Sequence, residues 1–120
     1  MSLDRFPSGG SAVGVERPAP QELAGRMAAN APAAAAFLKA LSHEGRLMIL
    51  CHLAGGEKSV TELEDLLGQR QAAVSQQLAR LRLEGLVSTR RDGKAIYYAL
   101  RDGRVLALLR LLPELFARAA

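Results

Sequence analysis

A mainly α-helical domain with one small β-hairpin is the fold class this sequence predicts, and three observations predict it. Most of the chain after residue 20 carries apolar residues at helical spacing, in segments opened by capping residues and closed by glycines. One stretch, 87–100, instead holds two short β-prone runs flanking Asp92-Gly93. The length of 120 residues makes one domain, near the lower end of what builds a comfortable core alone.

The elements follow in order. Residues 1–20 hold Gly9-Gly10, Pro7, Pro18 and Pro20 among small residues with no sustained apolar period, and predict a flexible N-terminal arm. The domain proper is expected over 21–120. A first helix is predicted from Gln21 to Ala29 and a second from Pro32 to Leu41. Ser42 is expected to cap a third from His43 to Ala54, which Gly55-Gly56 ends. Ser59 and Glu62 have the spacing of a capping box at the start of a fourth helix, whose apolar face is Leu63, Leu66 and Leu67. Gly68 is suited to end it in the left-handed region. A fifth helix runs from Gln71 to Leu83, with Val74, Leu78 and Leu81 at helical spacing and Gly85 as its stop.

Asp92-Gly93 is a preferred pair for a type I′ turn. That turn pairs Arg91 with Lys94, Thr89 with Ile96 and Val87 with Tyr98. Val87, Thr89, Ile96, Tyr98 and Leu100 then line the inner face, with Arg90 and Tyr97 outward. Asp102 caps a last helix rich in leucine, which Pro113 should kink or end because proline lacks the N–H and crowds the preceding turn. A helix apolar on most of its circumference must be covered on more than one side, by its own chain or by a partner.

Helix, tight turn, helix and hairpin in this order is the winged form of a helix-turn-helix, a module that reads DNA. Charge agrees. Residues 70–104 hold eight Arg and Lys against three Asp and Glu, a net of +5 that exceeds the +4 of the whole chain. The basic excess is local to the reading module, as on a nucleic-acid-binding face. On the fifth helix Gln71, Ser75, Gln76 and Arg80 carry side chains suited to base edges and phosphates. Alone they would read as an ordinary solvated face; the basic hairpin beside them favours DNA. Gln69 and Arg70 are expected on the backbone where that helix starts. Arg90, Arg91 and Lys94 crowd the hairpin tip, where like charges are unfavourable without a partner of opposite sign. They are expected on the minor groove or phosphates.

Together, the run Leu41-Ser42-His43-Glu44-Gly45-Arg46-Leu47-Met48-Ile49-Leu50, the helix Ser59–Gly68, Val74-Ser75-Gln76-Gln77-Leu78, Glu84-Gly85-Leu86-Val87 and Tyr97-Tyr98-Ala99-Leu100 resemble the ArsR/SmtB family of winged-helix repressors. The resemblance covers about residues 33–117. It implies a homodimeric bacterial regulator whose first and last helices pair across the dimer axis. It also implies double-stranded operator DNA, an inverted repeat, as partner. Leu50-Cys51 and Ser75-Gln76-Gln77-Leu78 look most like the sulfur- and redox-responsive, BigR/SqrR-like branch, which senses through two cysteines. Cys51 matches the first of these positions, and Ala117 occupies the place of the second. An intramolecular bridge is therefore impossible here. Cys51 is a sensor candidate on the resemblance and an inert core thiol on the residues alone.

Other classes find little support. The metal-binding members use paired cysteines in the first reading helix or Asp, His and Glu in the last helix. The first reading helix has no cysteine, Leu106–Ala117 has no histidine, and His43 and His52 are nine residues apart, so no metal or other cofactor is expected. Cys51 and His52 are adjacent on one helix and diverge by about 100°, which rules out a nucleophile–base pair. No enzyme is expected. The rival is a winged-helix protein-interaction module without DNA binding. No apolar run approaches the ~18 residues of a membrane span, there is no signal-peptide pattern, and one cysteine fits a reducing cytoplasm.

Overall fold

The computed structural model describes residues 16–117, so most of the expected arm lies outside the described residues. Glu16–Ala19 are exposed and without regular structure. Helix α1 (Pro20–Ala28) opens one residue inside that arm, on Pro20. Proline suits a first turn, where its missing N–H would have had no helical partner. Helix α2 (Ala31–Leu41) has Pro32 in its first turn for the same reason.

Helix α3 (Glu44–Leu53) corrects one expectation. Its N-cap is His43, not Ser42: the His43 Nδ1 accepts the Gly45 N–H at 3.0 Å. Ser42 instead donates to the Lys39 carbonyl at 2.7 Å, closing α2. A side chain at Gly45 would come within 3.2 Å of the His43 ring, so glycine leaves the room the cap needs. Arg46 donates through Nε to the Ala40 carbonyl at 2.8 Å and satisfies a C-terminal carbonyl of α2 that has no helical partner.

Strand β1 (Lys58–Ser59) leads directly into α4 (Val60–Leu67). The capping box forms as expected, with Glu62 N–H donating to Ser59 Oγ at 3.1 Å and Ser59 N–H to Glu62 Oε1 at 2.9 Å. Gly68 takes φ 65°, which an L side chain rarely adopts, and turns the chain toward α5 (Gln71–Leu83). Strands β2 (Val87–Asp92) and β3 (Ala95–Leu100) make the hairpin, and α6 (Gly103–Leu115) follows on its Asp102 cap. Pro113 does not break α6 at once; the helix runs to Leu115.

The core joins every helix after α1 with strands β2 and β3. Ile49, Leu50 and Leu53 of α3 meet Leu63 of α4 and Val74, Leu78 and Leu81 of α5, with Leu41, Val87, Val105 and Leu109 around them. Each fully buried aliphatic side chain contributes about 1.5–3 kcal/mol relative to exposure, so α4 and α5 are fixed to one frame. Helix α1 buries no residue.

The sheet is antiparallel with order β1-β3-β2, one strand more than the expected hairpin. The hairpin register also differs. Asp92 pairs with Ala95, Arg91 with Ile96, Thr89 with Tyr98 and Val87 with Leu100. The turn residues are Gly93-Lys94, and only Gly93 has positive φ, 63°. That pattern meets type II′, which places glycine first, and not type I′, which needs both central residues left-handed. The partner of each residue moves by two positions, so the inner and outer faces stay as expected. Arg90 and Tyr97 do face outward as a cross-strand pair.

Candidate nucleic-acid interface

The turn Gly68–Arg70 and the start of α5 form the first part of the site. Arg70 is the N-cap of α5 but offers no side-chain cap. The first N–H groups of the helix therefore remain open to an acceptor such as a phosphate oxygen. Gln69, Arg70 and Gln71 are all exposed around them.

Helix α5 buries Val74, Leu78 and Leu81. With about 100° advanced per residue, the side opposite these three carries Ala72, Gln76, Ala79 and Leu83, with Ala73 and Arg80 beside it. Gln76 and Arg80 thus stand on the outward side, while Gln71 and the half-buried Ser75 flank the buried stripe. The four expected readers do not share one narrow face. Ala72, Ala73 and Ala79, which sequence reasoning passed over, are exposed on the outer side. Their small side chains permit close approach of the helix backbone and can meet a thymine methyl; their outward phase was legible from the positions of Val74 and Leu78. Arg80 Nε lies 3.5 Å from Glu84 one turn on, an exposed pair that leaves the guanidinium in solvent.

The wing supplies the second part, and its three cations divide. Arg91 and Lys94 are exposed and make no ion pair among the described residues. Arg90 is different. Its Nε donates to both carboxylate oxygens of Glu57, at 3.0 and 2.9 Å, and its terminal nitrogens face Glu57 and, at 3.8 Å, Asp92. The guanidinium also lies over the Tyr97 ring, 4.8 Å from the centroid. These carboxylates balance the charge of Arg90 alone; Arg91 and Lys94 keep the like charge expected at the tip. Hydrogen bonding from Arg90 holds the Glu57 carboxyl below the usual carboxylate range.

Cys51 is exposed on α3, which corrects the core-thiol reading. Its neighbour Leu50 is fully buried, so the two residues face different ways. The sulfur itself is partly covered, and this burial pushes the thiol pKa up. Ala117 is exposed just beyond the end of α6. His43 and His52, distant in sequence, line one open groove of about 540 Å³ with Met48, Leu66, Gln69 and Gln77. Among the described residues no three His, Cys, Asp or Glu side chains converge as a metal-ligand group.

An exposed helix with an uncapped start, held on a three-helix core beside a basic β-wing, defines a winged helix-turn-helix protein. The comparisons with known proteins give the family. Residues 43–89 match the bacterial regulatory protein family arsR. Over 93 residues the chain is 43% identical to the transcriptional activator HlyU of Vibrio cholerae, a match spanning 78% of this chain and 86% of the relative. Over 82 residues it is 48% identical to the biofilm growth-associated repressor of Agrobacterium fabrum, covering 68% of this chain and 70% of that one. The crystal structure of the transcriptional repressor BigR from Xylella fastidiosa superposes with a TM-score of 0.76 at 42% identity, over 78% of this chain and 96% of that one. The chain belongs to the arsR family of bacterial regulatory proteins.

Proposed function

We propose that this protein is a cytoplasmic, homodimeric, sequence-specific DNA-binding regulator that represses transcription from an inverted-repeat operator and is released by a chemical signal, a reactive-sulfur or redox signal being one that Cys51 alone answers only weakly. The observation that carries the DNA reading is the placement of α5. Its exposed side and uncapped start lie on the same rigid core as a wing whose Arg91 and Lys94 make no ion pair among the described residues. Gln76 and Arg80 are assigned to base edges and phosphates, with Gln71 and Ser75 at the flank. Gln69 and Arg70 take the backbone at the helix start, and Arg91 and Lys94 the backbone or minor groove beyond the wing. Repression is supported by the likeness to a relative named as a repressor. Among the described residues no helix is long and apolar enough to cross a membrane.

Selection of bound sequences from a random duplex pool, followed by binding at increasing salt, tests this reading. A single inverted repeat should emerge, with affinity falling steeply as salt rises. Gln76→Ala is expected to weaken that operator by about 1–3 kcal/mol and relax preference at one base pair. Arg91→Ala is expected to weaken operator and random duplex alike and to flatten the salt dependence. Absence of any duplex affinity would leave the wing as a protein-docking element and sink the proposal.

A further inference from the structure

The register places Arg90, Tyr97 and Ser59 in one row across the sheet, on β2, β3 and β1. Glu57 lies two residues before Ser59, in the segment that joins α3 to β1. The Arg90 side chain therefore leaves the outer strand, lies over the ring of the central strand and there meets the Glu57 carboxylate, which comes from the segment leading into the third strand. Adjacent strands lie about 4.8 Å apart, so the Arg90 and Glu57 side chains together bridge the three strands. Strand β1 covers Tyr97 and Tyr98 of β3, and among the described residues the hairpin beyond them has no third strand. Among the described residues the row is the last three-strand link before the tip.

Charge argues the same way. Arg90 faces Glu57 on one side and Asp92 on the other, so a phosphate reaching it would meet two carboxylates. Neighbours in a strand point to opposite faces. Arg91 accordingly shares the face of Val87 and Thr89, the side that packs on the core with α5, while Arg90 lies on the other.

We propose that the Glu57–Arg90 pair, bedded on Tyr97, is a strap that fixes the wing relative to the helix-turn-helix, so that Arg90 is a positioning residue for DNA binding and not a phosphate contact. The inference rests on the DNA-binding reading above. Exposed ion pairs add little to global stability; the strap sets where Arg91 and Lys94 arrive. The pair also excludes Arg90 from the pool of cations that a duplex can recruit.

The test measures affinity across a salt series on a random-sequence duplex and on the selected operator. The proteins are the parent, Glu57→Gln, Arg90→Gln, Arg90→Lys and the Glu57→Gln/Arg90→Gln double variant, each checked for folding by thermal melting. Glu57→Gln and Arg90→Gln should each weaken operator binding about three- to tenfold, with the double variant no worse than either single one. The salt slope should stay at the parent value throughout. Arg90→Lys should behave like Arg90→Gln, because an ammonium keeps the charge but loses the fork and the ring stacking. Tighter binding by Glu57→Gln would overturn the strap, because breaking the pair must then favour the duplex and not misplace the wing. A slope flatter by about 0.9 per lost phosphate in Arg90→Gln would do the same, as would full rescue by lysine or unchanged operator binding in every variant. Were Arg90→Gln to misfold, the sign of the Glu57→Gln effect decides alone. A parent with no duplex affinity overturns the DNA reading and the strap together.

Discussion

At the scale of single residues, the neighbourhood of Cys51 decides what chemistry it can do. A thiol reacts as its thiolate, and here partial burial raises the pKa. Leu50 beside it is wholly buried, and residue 117, where the resemblance to the two-cysteine branch implies a second sulfur, is alanine. Attack on a polysulfide can still give a persulfide on Cys51, with the displaced sulfur chain leaving as the anion, but no second thiol in the same chain can close a bridge. Peroxide or polysulfide is therefore expected to change operator affinity by less than about tenfold in the parent. Ala117→Cys should respond more strongly if the two positions approach in the dimer. Operator affinity with and without polysulfide, for the parent, Cys51→Ser and Ala117→Cys, checks this. A large release in the parent that disappears in Cys51→Ser would show that one cysteine suffices.

At the scale of elements, what could be read in the sequence was what is decided locally. Ser59, Glu62 and Gly68 bracket α4, and Val74, Leu78 and Leu81 set the phase of α5, because capping and helical spacing act within a few residues. Strand β1 is two residues long and carries no pattern of its own; it exists because β3 offers it a free edge. Glu57 and Arg90 are 33 residues apart, so no local rule announces their pair. The wing turn moved by one residue because a single glycine, Gly93, selects a turn with one left-handed position. The junction of wing and last helix shows the same local logic. Asp102 accepts the Arg104 N–H at 2.9 Å, and the Arg104 guanidinium both binds Asp102 and lies 4.7 Å from the Phe37 ring centroid of α2. Asp102 thus caps α6 and, through Arg104, ties it to α2. Asp102→Ala is expected to cost about 1 kcal/mol, the usual loss of an N-cap, measured by denaturant unfolding at neutral pH. The side-chain hydrogen bond from Arg104 holds the Asp102 carboxyl below its ordinary value. A carboxyl depressed in the folded state stabilises at every pH above its unfolded pKa, and that stability is lost as pH falls through the folded pKa. The difference between parent and Asp102→Ala should therefore be constant near neutrality and shrink below about pH 4. A difference that grew on acidification would contradict the capping role.

At the scale of the whole molecule, the unsettled surface is apolar and lies on one set of helices. Helix α1 has no residue buried by the described part of the chain, and its Leu23 and Met27 are 52% and 41% exposed. Leu38 on α2 is exposed, as are Leu111 and Leu115 on α6 and Phe116 just after it. Scattered apolar residues are ordinary on a surface, but a helix with no buried residue has nothing to hold it in place unless something covers it. A second copy of the chain is the cover expected, with α1 and α6 at the interface, and light scattering at micromolar concentration should give the mass of a dimer. Leu111→Glu combined with Leu115→Glu places charge on that surface while leaving Val105 and Leu109, the buried side of α6, untouched. This variant should be monomeric, keep its helical circular dichroism and bind a full inverted repeat no better than a single half-site. In the dimer, the two copies of α5 must enter successive major grooves on one side of the duplex, so half-site centres should lie about 10 base pairs, roughly 34 Å, apart. Lengthening the spacer by half a helical turn turns the second half-site to the opposite side of the duplex, and affinity should fall to the half-site level. A parent that is monomeric at that concentration, or that tolerates the half-turn insertion without loss, would show that the apolar surface serves another partner.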